Sequence, residues 1–311
     1  MKIIYASCNA IDPREWTEPL QAALPEAEVV AWQASQPVQH AELAVVWNPP
    51  AELFERELGL RAAFNLGAGV DALFRLETLP PDFPVVRLED AGMAVQMAEY
   101  AAHALVRASR QFDAYDAQQR AGQWHPLPEL DRTQWPVGVL GMGVMGTRVA
   151  QTLAGMDYPV AGWSRSGNAP QGVQAFGGAD ALPAFLARTR VVLVNTLPLT
   201  DETRDLLRRD TLSQLLPGAH LINMGRGEHL VEEDLLALLD SGHMAGAALD
   251  VFREEPLPAG HPFWSHPRVA ITPHIAAISL RRETVAQLAA KIRAFLRGEP
   301  VTGMVTRRRG Y

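Results

Sequence analysis

Three polar side chains in the C-terminal half of the 311-residue chain have the types and settings for acid–base chemistry. His274 follows Thr272-Pro273 at the end of an apolar run, and its imidazolium can donate a proton to a developing alkoxide and take it back in reverse. A nearby carboxylate favours the charged ring and holds its orientation. Glu255, directly before Pro256, is the natural partner, with Glu254 the adjacent competitor. Arg226 lies between Gly225 and Gly227 in a sharp turn after another apolar run, and its fork can bind a carboxylate and a ketone oxygen together. A proton donor and a cation are what the reduction of a 2-keto acid needs beside a hydride.

The hydride source is written upstream. Val137–Leu140 is a short apolar run leading directly into Gly141-x-Gly143-x-x-Gly146. Gly141 allows the tight turn, Gly143 lets backbone approach a pyrophosphate, and Gly146 lets helix pack closely on strand. The following helix, with Val144, Met145, Val149 and Leu153 expected on one face, aims its N-terminal N–H groups at the anion. The next apolar run, Tyr158–Trp163, ends in Ser164-Arg165-Ser166 and carries no carboxylate for a ribose 2′-hydroxyl. A guanidinium between two hydroxyls suits a 2′-phosphate, so NADPH is expected over NADH. In the first part of the chain, Gly67-Ala68-Gly69 offers backbone amides to a carboxylate, and Trp47 is expected to close over a small substrate.

These residues need parallel strands to carry them, and the alternation of β-like runs with helical patterns supplies them. Strands are expected at Ile3–Ala6, Val29–Trp32, Leu43–Trp47, Ala62–Leu66 and Val85–Leu88. A second set is expected at Val137–Leu140, Val160–Trp163, Val191–Asn195, His220–Asn223, Gly246–Asp250 and Val269–Thr272. A helix over Ala94–Arg110 joins the sets, and Leu280–Arg297 forms the last helix, capped by Gly298. The polar segment Phe112–Gln134 lacks core periodicity and is expected to bind a second subunit, making a homodimer. The expected fold is α/β, two doubly wound parallel-sheet domains with a cleft between them. The domains are 1–97 plus 280–311 for substrate and 98–279 for the dinucleotide.

Composition narrows the class. A net charge of −7 argues against broad nucleic-acid or anionic-membrane binding, and no run is apolar enough to span a bilayer. The single cysteine, Cys8, excludes an internal disulfide and a cysteine metal cluster, and is expected to be a small buried strand residue. Arg307-Arg308-Arg309 reads as a solvated or interface tail, and His103, His229 and His261 as structural or exposed. No metal is expected, and the compartment is expected to be cytoplasmic.

Five motifs occur in one order: Gly67-Ala-Gly-Val-Asp71, Gly141–Gly146, Asn223-Met-Gly-Arg-Gly227, Asp250-Val-Phe-Arg-Glu-Glu-Pro256 and Thr272-Pro-His274. Together they resemble the D-isomer-specific 2-hydroxyacid dehydrogenase family over essentially the whole chain. Within it, Trp47-Asn-Pro-Pro50, Arg87-Leu-Glu-Asp90, Trp124-x-Pro-Leu-Pro128 and the terminal Arg-Gly-Tyr311 resemble the glyoxylate/hydroxypyruvate reductase A subgroup. The resemblance implies a flavodoxin-like substrate domain and a Rossmann dinucleotide domain. It implies the catalytic roles for Arg226, Glu255 rather than Glu254, and His274, with the amides at Ala68 and Gly69 on the substrate carboxylate. Leu197, Pro198, Met224 and Asp250 are expected at the cofactor, Asp250 at the nicotinamide carboxamide. The expected activity is NADPH-dependent reduction of glyoxylate to glycolate and hydroxypyruvate to D-glycerate. The alternatives are a reductase of a larger 2-keto acid, of the phenylpyruvate or 2-ketoisocaproate type, and a non-catalytic NAD(P)-sensing scaffold.

Overall fold

Short aliphatic runs in the N-terminal part form β1 (Lys2–Ser7), β2 (Glu28–Ala31), β3 (Leu43–Trp47), β4 (Ala62–Asn65) and β5 (Val85–Val86). The computed structural model describes residues 1–9, 11–129, 131–189 and 192–309. The five strands are parallel in the order β5-β4-β3-β1-β2, and a late strand, Met304–Val305, pairs antiparallel with β5. The central strands are apolar on both faces, as a parallel sheet covered by helices requires: Leu43–Val46 and Ala62–Asn65 are buried throughout. These elements make one compact unit, Met1–Gly92 with the chain from Ser279 onward.

The last helix, Arg281–Leu296, belongs to this unit and buries Val285, Leu288 and Ile292. Its Lys291 is buried as well, and the ammonium is fully employed. Nζ donates to the carbonyls of Arg87 (3.0 Å) and Thr302 (2.7 Å) and to Glu89 Oε2 (3.1 Å). Burial pushes the Lys291 pKa down, against the pull of Glu89.

The second unit, Met93–Ile278, holds β6 (Val137–Leu140), β7 (Val160–Ser164), β8 (Gln174–Gly177), β9 (Val192–Asn195), β10 (Ala219–Asn223), β11 (Met244–Leu249) and β12 (Val269–Ile271). All are parallel, in the order β12-β11-β10-β9-β6-β7-β8. Strand order reverses between β6 and β9, and ligands of such sheets bind beyond the carboxyl ends at that point. One face packs Met97, Ala98, Ala101 and Leu105 of the helix Met93–Ser109 against Val149, Ala150 and Leu153 of the helix Val144–Ala154. The other face is filled by Phe185, Leu193, Leu221, Leu235, Leu249 and Phe263.

Several expectations are corrected. The boundary drawn at residue 97 falls inside the helix Met93–Ser109, which lies wholly in the second unit. The edge strand β8 has no buried residue and so no apolar signal. Within Phe112–Gln134 a helix spans Phe112–Arg120, again with nothing buried and hence no periodicity to read. Val144 is exposed at its helix N-terminus instead of joining the buried face. Cys8 is exposed beyond the end of β1. Arg307 is no solvated tail, since its guanidinium donates to the Leu76 carbonyl. Val191, Gly310 and Tyr311 lie outside the described residues.

Replacing Lys291 by Met keeps the aliphatic stem and removes the three hydrogen bonds of its ammonium, while Glu89 keeps the one from the Thr302 hydroxyl. The variant should lose about 1–3 kcal/mol, the cost of leaving buried acceptors unbonded, read as a lowered midpoint in denaturant unfolding. An unchanged midpoint would show that the lysine is ornamental.

Candidate active site

Each expected site residue of the second unit stands at or past the carboxyl end of a strand. Gly141 through Gly146 follow β6, Ser164 ends β7 with Arg165 and Ser166 next, and Leu197 and Pro198 follow β9. Met224 and Arg226 follow β10, Asp250 and Glu255 follow β11, and His274 follows β12. The glycines divide by role. Gly141 has φ +92°, and a Cβ on Gly146 would lie 1.7 Å from the Gly141 carbonyl oxygen. A Cβ on Gly143 would meet nothing within 4 Å. The turn therefore opens at Gly143, in front of the first-turn N–H groups of the helix Val144–Ala154, which have no partners within the helix. Arg165 and Ser166 are exposed, the Ser164 and Ser166 hydroxyls are 3.4 Å apart, and the Arg165 charge helps hold the Glu202 carboxyl below its usual range after hydrogen bonds at Thr200 and its own backbone. An open anion cradle with a cation at the next strand end fits a phosphorylated dinucleotide.

The proton-handling pair is assembled. His274 Nδ1 and Glu255 Oε2 are 2.8 Å apart, and Glu255 Oε1 accepts from the Phe252 amide at 2.9 Å. Glu255, and not Glu254, meets the ring. The hydrogen bond to Glu255 pushes the His274 pKa up, over the opposing effects of burial and of Arg226. Burial works to raise the Glu255 pKa but is outweighed by the hydrogen bonds from His274 and Phe252 and by the charges of His274 and Arg226, so it falls. Both shifts favour the ionised pair. With Nδ1 committed to Glu255, Nε2 is the ring atom left to carry a transferable proton.

His274 has φ +55°, a left-handed conformation that costs a non-glycine residue of order 1–3 kcal/mol unless its surroundings impose it. Asp250 imposes it. This buried carboxylate accepts from Thr272 Oγ1 (2.6 Å) and from the amides of Ile275 and Ala276 (both 2.8 Å), while the Asp250 carbonyl accepts from the His274 amide at 2.9 Å. Thr272 spends its one proton on Asp250, so the Tyr100 hydroxyl at 2.8 Å donates to it.

The Arg226 turn is braced from below. The amide of Asn195 donates to Asn223 Oδ1 at 3.0 Å, and Asn223 Nδ2 to the Arg226 carbonyl at 3.2 Å. Gly227 admits no side chain, because a Cβ would stand 1.9 Å from the Phe252 carbonyl carbon. His229 is buried beside this turn, the structural one of its two expected settings. The sequence assigned no part in the site to His229, Asn195 or Tyr100, whose lone polar side chains carry no periodicity, nor to Asn223 and Thr272, which it showed only as motif residues.

In the first unit, Asn65 Nδ2 donates to the carbonyls of Gly67 (3.0 Å) and Gly69 (2.8 Å), and the Leu88 amide also binds Gly67. Across a trans peptide this turns the Ala68 N–H the opposite way, away from the carbonyl's donors. Trp47 stacks on the bare Gly67, where a Cβ would lie 2.3 Å from its ring.

Comparison with known proteins places the fold in a family. Residues 102–276 match the NAD-binding domain of the D-isomer specific 2-hydroxyacid dehydrogenases. A D-isomer specific 2-hydroxyacid dehydrogenase from Xanthobacter autotrophicus Py2, solved in complex with NADPH and MES, is 40% identical, with 100% of this chain and 99% of that chain covered and a TM-score of 0.93. An NADPH-dependent glyoxylate/hydroxypyruvate reductase from Sinorhizobium meliloti, solved with NADP and sulfate, is 36% identical over 100% of this chain and 99% of its own, with a TM-score of 0.91. A probable 2-hydroxyacid dehydrogenase from Rhizobium etli CFN 42, solved with NADP, HEPES and L(+)-tartaric acid, is 31% identical with the same coverage, 100% and 99%, and a TM-score of 0.89. The fold and site define a dinucleotide-dependent oxidoreductase. The chain belongs to the D-isomer specific 2-hydroxyacid dehydrogenase family. Among the described residues no helix is long and apolar enough to cross a membrane.

The contrast between two glycines can be measured. Gly146→Ala should lower the thermal midpoint, because the methyl group has no space. Gly143→Ala should leave the midpoint in place and weaken dinucleotide binding, followed by quenching of protein fluorescence. Equal behaviour of the two variants would contradict the division of roles.

Proposed function

We propose that the chain reduces small 2-keto acids with NADPH, glyoxylate to glycolate and hydroxypyruvate to D-glycerate. The observation that carries this reading is the Glu255–His274 pair at 2.8 Å, with the Arg226 charge acting on both members. The Sinorhizobium meliloti reductase, similar over the full chain, supports the choice of substrates. NADPH, when bound, supplies the hydride. Gly143, Val144, Met145 and Gly146 would hold its pyrophosphate, and Ser164, Arg165 and Ser166 its 2′-phosphate, with Leu197, Pro198, Met224 and Asp250 completing that site.

The chain's own residues handle charge and proton. Arg226 binds the carboxylate and polarises the ketone oxygen, and His274 Nε2 delivers the proton as that oxygen becomes an alkoxide. Glu255 keeps the imidazole charged and oriented, and the amides of Ala68 and Gly69, with Trp47, contribute to substrate binding. Reduction requires protonated His274, so its rate is full below the raised pKa and declines as pH rises through it. We also infer a homodimer formed through Phe112–Gln134, where Trp124 is 97% exposed and Phe112 and Tyr115 of the same segment are exposed as well.

NADPH consumption followed by absorbance with a panel of 2-keto acids tests this. Glyoxylate and hydroxypyruvate should give the highest kcat/KM, and Arg165→Ala should raise the KM for NADPH about ten- to a hundredfold while leaving NADH nearly unchanged. Preference for phenylpyruvate or 2-ketoisocaproate would move the assignment to a larger-pocket reductase. No turnover on any member would overturn the enzyme reading.

A further inference from the structure

We propose that His229 is a positioning residue for Arg226, holding the backbone of the guanidinium-bearing turn through Nδ1; this rests on the reading of Arg226 as the group that binds the 2-keto acid. His229 is only 1% exposed. Its Nδ1 lies 3.1 Å from the Arg226 backbone nitrogen and 2.7 Å from Asn195 Nδ2. A backbone N–H can only donate, so Nδ1 accepts and carries no proton. Asn195 is oriented to agree, because its Oδ1 accepts from the Leu197 amide at 3.1 Å and its Nδ2 also serves Asn223 Oδ1. The proton of the neutral ring therefore sits on Nε2, which donates to the Pro198 carbonyl at 3.2 Å.

Each ring nitrogen thus addresses a different loop. Nδ1 binds the Arg226 turn after β10, and Nε2 binds the Leu197–Pro198 segment after β9. The Arg226 backbone is fixed from both sides, its N–H by His229 and its carbonyl by Asn223. The ring sits close under Gly225, where a Cβ would lie 3.1 Å from Nδ1 and 2.8 Å from Asn195 Nδ2. Arg226 has a long side chain, so a fixed backbone limits the arc its fork can sweep, and small displacements at such groups cost much in rate or affinity.

Two substitutions separate the two nitrogens. Asn places an amide oxygen near the position of Nδ1 and keeps an acceptor for Arg226. Gln reaches toward Pro198 and leaves the Arg226 N–H without its acceptor. His229→Gln should raise the KM for the 2-keto acid about tenfold or more, as expected for one buried donor left unbonded, with the Kd for NADPH within about twofold of wild type. His229→Asn should restore the KM to near wild type. In an Arg226→Ala background, the effect of His229→Gln should vanish, since there is no guanidinium left to position.

An unaltered KM in Arg226→Ala alone would overturn the reading of Arg226, and the proposal with it. A raised KM in Arg226→Ala combined with a neutral His229→Gln, with full multiplication of the two effects, or with equal weakening of NADPH binding would overturn the role of His229 only. Nitrogen-15 NMR of wild-type His229 decides the geometry whether or not the variants fold. A proton on Nε2 supports the proposal, and a proton on Nδ1 contradicts it.

Discussion

A hydrogen bond of 2.8 Å between Glu255 and the His274 imidazole is the contact the second unit's loops serve. Each partner raises the charged population of the other, most strongly at hydrogen-bonding distance. The loops that bring the partners together follow neighbouring strands, β11 and β12, so the sheet sets the spacing and local hydrogen bonds set the angle. On one side, the Phe252 amide pins Glu255 Oε1. Arg253 braces the same loop, donating to the Leu230 carbonyl and to Asp205, and its amide binds Glu232. On the other side, Asp250 winds residues 272–276 into the turn that forces His274 to positive φ.

The same economy of means governs the anion end of the sheet. In the turn after β6, side chains are removed instead of supplied. Gly146 is excluded by the Gly141 carbonyl, whereas Gly143 faces open space, so one glycine serves packing and the other access. Arg226 obeys a related logic, with Gly227 jammed against Phe252 and Gly225 against Asn195, which leaves one side chain in the turn able to project. A functional loop built this way is specified by what cannot fit beside it as much as by what it carries.

Legibility in the sequence followed from these constraints. Gly141, Gly143, Gly146, Arg226, Glu255 and His274 stand out because geometry or proton chemistry admits few other residue types. The parallel strands were legible because both-face burial demands unbroken aliphatic runs such as Leu43–Val46. β8 was invisible for the converse reason, having no buried residue. The polar supports were equally hidden. Asn195 and Asn223 end β9 and β10 and His229 follows β10, so the three meet only once those strands are paired. Tyr100 and Thr272 are far apart in the chain and touch through a single pair of hydroxyls. Asp250 was legible as a site residue, yet its engagement with the 272–276 turn was not, because the donors are mostly backbone amides.

The central claim is electrostatic: Glu255 holds His274 as an imidazolium beyond its ordinary range. Direct titration of the His274 ring by NMR in the wild type and in Glu255→Gln tests it without any assumption about substrate. The account predicts a wild-type midpoint above the usual histidine value, near 6.5. In the variant it should fall, because burial and Arg226 then act without their counterweight. A midpoint at or below the usual value in the wild type, or one that the substitution leaves in place, would contradict the account.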